Sequence, residues 1–222
     1  MCGLAGLFIP KTSKPIDANM DSMLRVMTHR GPDGDDSYFS LDKRYQIGFR
    51  RLAIIDLEKG LQPIKDPEGD LVLAGNGEIY NYHELREKYK NYPWKTQGDM
   101  ETIFPLVHDV GETFIDNING MFALALYETK AHRLSLIRDR LGIKPLYWTT
   151  LPSGGIIFAS EIKALFASGL VRPAIDEASV TAYLSHGWVP GPHTLFSGVN
   201  KLLPGQRLCI NADGQMTIDT YW

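Results

Sequence analysis

The 222-residue sequence contains only two cysteines, Cys2 and Cys209, and has no CxxC pair and no HExxH segment. Two cysteines cannot form the disulfide framework of a small secreted domain, and the missing spacings argue against structural zinc. No apolar run approaches the roughly 18 residues that a membrane span requires. Residues 4–9 form a short apolar run without the basic flank of a signal peptide. We therefore expect a cytoplasmic protein with no bound metal and no membrane association.

The sequence also has no excess of positive charge, with 23 Lys and Arg against 26 Asp and Glu and a net charge of -3. Such a chain has no field that would gather nucleic acid, so we expect no nucleic-acid partner. Hydrophobic residues make up 44% and charged residues 22%, a globular composition. The oligomeric state is left open, with a homodimer among the alternatives.

Strand-like and helical segments come in blocks rather than in strict alternation, which favours an α+β fold with antiparallel sheets. An apolar strand begins at Cys2 and ends before Pro10. The first helix follows, with Asp17 as the expected N-cap and Met20, Met23, Leu24 and Met27 on one face. Further strands are predicted at 38–41, 45–49, 52–57, 71–74, 121–127, 133–138, 146–149 and 156–159, and further helices at 82–89, 99–110, 161–167 and 176–184.

Cys2 is the residue with the clearest chemical potential. When Met1 is removed, Cys2 carries a free α-amine beside its own thiol, so that one residue holds both a nucleophile and a base. The α-amine titrates near pH 8 and a thiol at about pH 8.5, so the amine can accept the thiol proton near neutrality. The alternative is a buried cysteine that acts only as a small apolar side chain.

Asn76-Gly77-Glu78 follows a predicted strand and joins an amide side chain to a glycine whose N–H can approach a ligand closely. Two such donors can form an oxyanion hole for the charge that develops when a thiolate attacks a carbonyl. The alternative is an ordinary Asn-Gly hairpin turn.

Arg51 and Asp99 form a complementary pair of candidates for binding an amino acid. An arginine suits a carboxylate and an aspartate suits an ammonium, so together they could hold the zwitterionic end of the ligand. The alternatives are a surface arginine for Arg51 and a helix N-cap for Asp99. His29 and Arg30, before Gly31-Pro32, either order a loop over such a site or form a plain turn.

The sequence resembles the class II, or N-terminal nucleophile, glutamine amidotransferases, and among them the glutaminase domain of glutamine-hydrolysing asparagine synthetase. The matching segments follow the order of the family and span nearly the whole chain. They are Cys2-Gly3-Leu4-Ala5-Gly6, His29-Arg30-Gly31-Pro32-Asp33-Gly34, Arg51-Leu52-Ala53-Ile54-Ile55-Asp56, residues 76–81, Gly98-Asp99-Met100-Glu101, Gly120-Met121-Phe122-Ala123, residues 138–147 and Ala159-Ser160-Glu161-Ile162-Lys163-Ala164.

The resemblance implies a four-layer αββα sandwich and the hydrolysis of glutamine to glutamate and ammonia. By position, Cys2 matches the nucleophile, and Asn76 and Gly77 match the oxyanion-hole pair. Arg51 matches the residue that binds the α-carboxylate of glutamine. Asp99 and Glu78 match those that bind its α-ammonium, and the carbonyl groups around Leu52 and Ile54 are further expected substrate contacts.

The resemblance also divides the chain into a glutaminase domain, residues 1–186, and an extension, residues 187–222. Gly187-Trp188-Val189-Pro190-Gly191-Pro192 and Lys201-Leu202-Leu203-Pro204-Gly205 match the segment that leads family members into an ATP-dependent synthetase domain. That domain carries a Ser-Gly-Gly-x-Asp-Ser motif, which these residues lack, since Ser153-Gly154-Gly155 is followed by Ile156. We expect no cofactor in this chain and reserve ATP and Mg²⁺ for the synthetase domain.

The acceptor of the ammonia is not fixed by these residues. The segment 138–147 and the C-terminal motifs favour aspartate as the substrate of the synthetase domain. Two other hypotheses remain: a glutaminase that serves a different acceptor, and a domain that binds glutamine without turnover.

Overall fold

The computed structural model describes residues 1–222, which form twelve β-strands and five α-helices. The strands are β1 Gly3–Phe8, β2 Gly34–Phe39, β3 Tyr45–Arg51, β4 Ile64–Lys65, β5 Leu71–Ile79, β6 Gly120–Glu128, β7 Arg133–Arg138, β8 Tyr147–Thr150, β9 Ile156–Ala159, β10 Asn200–Lys201, β11 Gln206–Ile210 and β12 Met216–Thr220. The helices are α1 Met20–Arg25, α2 Tyr82–Lys88, α3 Ile103–Val110, α4 Ile162–Ala167 and α5 Glu177–His186. Short 3-10 helices cover Thr28–Arg30, Met100–Thr102 and Gly111–Asn117.

The strands form two six-stranded sheets in which every pairing is antiparallel. The first sheet has the order β10-β8-β9-β1-β3-β2, and the second has the order β12-β11-β7-β6-β5-β4. None of the helices is long and apolar enough to cross a membrane.

Three apolar clusters divide the molecule into four layers. The cluster between the sheets contains side chains from both, such as Phe49 and Phe158 from the first and Ala74 and Ala123 from the second. A second cluster packs α2 and α3 on the outer face of the second sheet, and a third packs α1 and α4 on the outer face of the first. The predicted αββα sandwich is therefore confirmed.

Strand β1 is buried on both faces, which explains its unbroken apolar sequence. Leu4 and Phe8 face the layer between the sheets, whereas Ala5 and Leu7 face the helices. Because β1 lies between β3 and β9, the start of the chain is fixed at the centre of the first sheet.

Two local predictions are wrong. The N-cap of α1 is Asn19, whose side chain accepts a hydrogen bond from the Ser22 N–H, and not Asp17. Residues 52–57 form a loop and not a strand, because the guanidinium of Arg51 binds carbonyl groups that a strand would use for pairing. Strand β5 also extends beyond the predicted residues 71–74 and ends at Ile79.

Residues 187–222, predicted as an extension, supply strands to both sheets. Strand β10 pairs with β8 in the first sheet, and β11 pairs with β7 in the second. The domain boundary at 186/187 stays a prediction.

The conformation of the segment between β7 and β8 depends on Asp139, whose carboxylate accepts hydrogen bonds from four backbone N–H groups. These belong to Phe122, Leu141, Ile143 and Lys144, at 2.9–3.2 Å.

Replacing Asp139 by alanine is expected to destabilise the fold. The carboxylate is 1% exposed, and its removal leaves four donors without their acceptor, so the free energy of unfolding should fall by roughly 3 kcal/mol or more. Urea denaturation measures the change. Asp116→Ala is the control, because Asp116 is exposed and its carboxylate makes no hydrogen bond. Equal stabilities of the two variants would contradict this role.

Candidate active site

A pocket opens where the start of β1 and the end of β3 face the outer edge of β5. It receives side chains or backbone from segments far apart in the sequence. Seven of the eight predicted site residues line it: Cys2, Arg51, Leu52, Ile54, Gly77, Glu78 and Asp99. The eighth, Asn76, precedes Gly77 in β5. One cavity thus collects the residues that the sequence predicted.

Cys2 is held next to the end of β3. Its Sγ accepts a hydrogen bond from the Leu52 N–H at 3.3 Å and lies 3.6 Å from the Leu52 carbonyl oxygen. The Cys2 carbonyl accepts a hydrogen bond from Arg30 Nε at 2.8 Å, and Arg30 is paired with Glu161 at 3.1 Å. The thiol is half-buried and contacts the layer between the sheets, so it is not a sequestered core cysteine.

The side chains of Arg30 and His29 have a structural part in this arrangement. His29 Nε2 also reaches Glu161 Oε1, at 2.8 Å. Arg30 is 8% exposed, and its hydrogen bond to the Cys2 carbonyl joins the segment 28–30 to the residue that precedes β1. His29 and Arg30, predicted either to order a loop over the site or to form a plain turn, thus help to fix the position of Cys2.

The outer edge of β5 provides a free backbone donor. The β5–β6 ladder runs through the even-numbered residues of β5, because at its ends Thr129 donates to Asp70 and Tyr80 donates to Asn119. The N–H groups of the odd-numbered residues therefore point away from β6. The Gly75 N–H donates to Gln62 Oε1 at 2.7 Å and the Ile79 N–H to Asp99 Oδ2 at 2.7 Å. Between them, the Gly77 N–H faces the pocket.

Only glycine fits at position 77. A Cβ built there would lie 1.9 Å from the Met121 carbonyl oxygen, which is backbone and cannot move aside easily. The Asn-Gly pair lies inside a continuous strand, so the hairpin-turn alternative is wrong.

The second donor is the side chain of Asn76. Asn76 is 1% exposed, and its Nδ2 has no hydrogen-bond partner. Asn76 lies two residues after Ala74 in β5, so the two side chains point to the same face of the sheet. The Ala74 side chain lies in the layer between the sheets, and Cys2 contacts that same layer. A buried amide N–H₂ without an acceptor is costly, so its presence on the face of β5 that faces the same layer as Cys2 indicates a ligand-binding role.

Arg51 is 7% exposed, so the surface-arginine alternative is wrong. Its guanidinium donates to the carbonyls of Leu57, at 3.0 Å, and Asp56. These bonds wrap residues 52–60 around the guanidinium and fix its position at the pocket wall. Ile54 lines the pocket although its side chain is 63% exposed.

Asp99 lines the same pocket as Arg51 and is 7% exposed. Asp99 stands at the N-cap position of the 3-10 helix Met100–Thr102, but its carboxylate makes no capping hydrogen bond there and accepts the Ile79 N–H instead. Burial raises the pKa of Asp99 above its ordinary value of 3.8, and the charge of Glu78 adds to the rise, although backbone hydrogen bonds oppose it. Asp99 and Glu78 together make this wall anionic.

Three pocket residues with polar side chains, Gln62, Thr96 and Glu101, were not predicted as site residues. Gln62 pairs its side chain with both backbone groups of Gly75. Glu101, 2% exposed, accepts hydrogen bonds from the Lys95 N–H and from the N–H and hydroxyl of Thr96. The signal for Glu101 was its position two residues after Asp99, whereas Gln62 and Thr96 carried no signal that separates them from surface residues.

Comparison with solved structures assigns the fold to a class. Glutamine phosphoribosylpyrophosphate amidotransferase from Bacillus subtilis matches with a TM-score of 0.71 and 18% identity, over 100% of this chain and 49% of that chain. The αββα sandwich of this chain is thus the same fold as that of this amidotransferase.

Sequence comparison then identifies the family. The model of the glutamine amidotransferase domain matches residues 1–222. Asparagine synthetase 1, glutamine-hydrolysing, from Bacillus subtilis is 38% identical over 231 residues, which cover 100% of this chain and 35% of that protein. Asparagine synthetase B from Escherichia coli is 39% identical over 167 residues, 74% of this chain and 30% of that protein. The chain belongs to the glutamine amidotransferase domain family and spans about a third of the length of these relatives.

Asp99→Asn is expected to stabilise the fold at pH 7. A carboxyl whose pKa is raised in the folded state costs stability when it is ionised, above the folded pKa, and this cost disappears below the unfolded value of 3.8. Asparagine keeps an acceptor for the Ile79 N–H and never ionises. Denaturation across a pH series should show the variant more stable at pH 7 and the difference lost in acid. A variant that is less stable at pH 7 would contradict the assignment of a strained, ionised Asp99.

Proposed function

We propose that this domain hydrolyses L-glutamine to glutamate and ammonia, with the Cys2 thiolate as nucleophile. The observation that carries the proposal is the free pair of donors beside Cys2: the buried Asn76 Nδ2 without a partner and the Gly77 N–H on the open edge of β5. Two donors on the pocket side of a thiol suit the oxyanion of a tetrahedral intermediate.

The reaction begins once Met1 is removed, because the amide that joins Met1 to Cys2 cannot act as a base. The α-amine of Cys2 accepts the thiol proton, and Sγ attacks the side-chain carbonyl carbon of glutamine. The resulting oxyanion accepts hydrogen bonds from Asn76 and Gly77. The α-ammonium returns the proton to the amide nitrogen, ammonia leaves, and a water molecule hydrolyses the γ-glutamyl thioester to glutamate and free thiol.

The two charged walls of the pocket suit the zwitterionic end of glutamine. Arg51 carries the positive charge for the α-carboxylate, and Asp99 with Glu78 carry the negative charge for the α-ammonium. The carbonyl groups around Leu52 and Ile54 provide further acceptors at the same wall. No step of this chemistry draws on a metal or cofactor held by the chain.

The ammonia is proposed to serve the synthesis of asparagine from aspartate by a synthetase domain in cis, which would use ATP and Mg²⁺. The identity with glutamine-hydrolysing asparagine synthetases, 38% over the full chain in one case, supports this acceptor over others. Cytoplasmic location and a homodimer stay predictions.

Alkylation by 6-diazo-5-oxo-norleucine, a glutamine analogue that reacts with catalytic thiols, tests the nucleophile. The protein without Met1 should gain a single adduct that maps to Cys2, and Cys2→Ala should gain none and lose glutaminase activity. Cys209→Ala is the matched control and should react as the parent does, because burial raises the pKa of Cys209 and lowers its reactivity. A processed protein that binds glutamine but gains no adduct would favour the non-catalytic binding domain.

Asn76→Ala tests the oxyanion hole separately from binding. Removal of one such donor typically lowers kcat by about 10² to 10³-fold, and the glutamine KM should change little, since the bond forms in the transition state. Steady-state glutaminase assays give both constants. A variant with unchanged kcat would show that Asn76 does not stabilise the oxyanion.

A further inference from the structure

Two loops form the charged walls of the pocket. Residues 52–60, loop A, surround Arg51, and residues 95–99, loop B, end at Asp99. Loop A is held by the Arg51 guanidinium, and loop B is held by Glu101 and Arg86. The glutamine pocket has a defined width only when the two loops keep a fixed separation.

Loop B is anchored by two buried or half-buried side chains. Glu101 accepts three hydrogen bonds from Lys95 and Thr96, at 2.7–2.8 Å. Arg86 donates to the Thr96 and Gly98 carbonyls, at 2.8 and 3.0 Å, and stacks over Trp94 at 4.1 Å. These hydrogen bonds fix loop B to α2 and to the 3-10 helix Met100–Thr102.

Loop A has one hydrogen bond to loop B, and Asp56 makes it. Asp56 Oδ2 accepts the Gln97 N–H at 2.6 Å, across 41 residues of sequence. Its Oδ1 accepts the Lys59 N–H at 3.0 Å, which closes the turn of loop A. Because Gln97 is two residues before Asp99, this bond lies close to the anionic wall.

The main chain of Asp56 acts on the opposite wall. Its carbonyl accepts hydrogen bonds from Arg51 Nη2 and from the Gly60 N–H, the latter at 3.0 Å. The backbone at Asp56 has φ +52, in the left-handed region that few residues other than glycine enter. Such strain is retained where the surrounding contacts require it, and it is concentrated at functional sites.

The Asp56 carboxyl stays in the ionised form that accepts the hydrogen bonds from Gln97 and Lys59. Partial burial alone would raise the pKa of this carboxyl, but the hydrogen bonds from Gln97 and Lys59 and the charge of Arg51 outweigh it and hold the pKa below the ordinary value of 3.8. The carboxylate is thus ionised at any pH at which the domain is expected to work.

We propose that Asp56 is a positioning residue that sets the distance between the carboxylate-binding and ammonium-binding walls of the glutamine pocket. Its carbonyl orients Arg51, and its carboxylate ties loop A to loop B at Gln97. The inference rests on the proposed glutaminase function. Asp56 touches neither the reacting carbonyl nor Cys2, so it acts on substrate affinity and not on the chemical step.

Asp56→Gly is the sharpest test, because glycine tolerates the left-handed backbone and removes only the carboxylate. The glutamine KM and the half-saturating concentration of 6-diazo-5-oxo-norleucine should both rise about tenfold or more, because the variant loses the two hydrogen bonds that the carboxylate accepts from the Gln97 and Lys59 N–H groups. The kcat and the maximal alkylation rate should stay within about twofold, since the tie lies outside the chemistry. Glu58→Gly is the matched control, with an exposed carboxylate that makes no hydrogen bond, and should keep the parent values.

Asp56→Asn is the second variant, since it keeps one acceptor and the tolerance of asparagine for this backbone. It should raise the KM by less than Asp56→Gly does, and it decides the matter if the glycine variant does not fold. Unchanged half-saturation in both variants, or a fall in kcat at constant KM, would overturn the role of Asp56 while leaving the glutaminase intact. A parent protein that is neither alkylated at Cys2 nor active on glutamine would overturn both proposals.

Discussion

The burial of β1 on both faces is the constraint on which the rest of the site depends. A chain terminus normally frays, but this one enters the first sheet between β3 and β9 from Gly3 onwards. That placement fixes Cys2 against Leu52 and brings the thiol to the mouth of the pocket. The apolar sequence of β1 thus stabilises the fold and also places Cys2, the residue before the strand, in the pocket. Arg30 adds a hydrogen bond to the Cys2 carbonyl, which restrains the single residue that has no strand partner.

The second sheet contributes through an edge that is only partly capped. Side chains from distant segments satisfy the N–H groups of Gly75 and Ile79, and the Gly77 N–H between them faces the pocket. An open strand edge is ordinarily a liability. Here Gln62 and Asp99 close it on both sides of a gap one residue wide. The same Asp99 then carries the negative charge at the pocket wall, so one side chain completes the sheet edge and shapes the site.

Most elements were predictable from the sequence because apolar periodicities dominate them, as in β1, β7 and α1, whereas the four-layer arrangement was predicted from the family resemblance. Sequence-based prediction failed where a tertiary contact overrides local pattern. Residues 52–57 look like a strand, but the Arg51 guanidinium binds carbonyl groups in this segment. Asn76-Gly77 looks like a turn, but both residues pair with β6 inside β5. Residue chemistry proposed Cys2, Asn76, Gly77, Arg51 and Asp99 as site residues, and the family motifs added Leu52, Ile54 and Glu78. The supports of the pocket, such as Gln62 and the Asp56–Gln97 bond, join residues far apart in the chain, and no local pattern encodes such pairs.

The central claim, covalent catalysis by Cys2, is tested most directly by trapping the acyl-enzyme. The protein without Met1 would be mixed with glutamine, quenched in acid within the first turnovers, and examined by intact-mass and peptide mass spectrometry. The account predicts one γ-glutamyl group in thioester linkage on Cys2, lost on return to neutral pH as glutamate is released. Glutamate formation by a protein that never carries this group on Cys2 would contradict it.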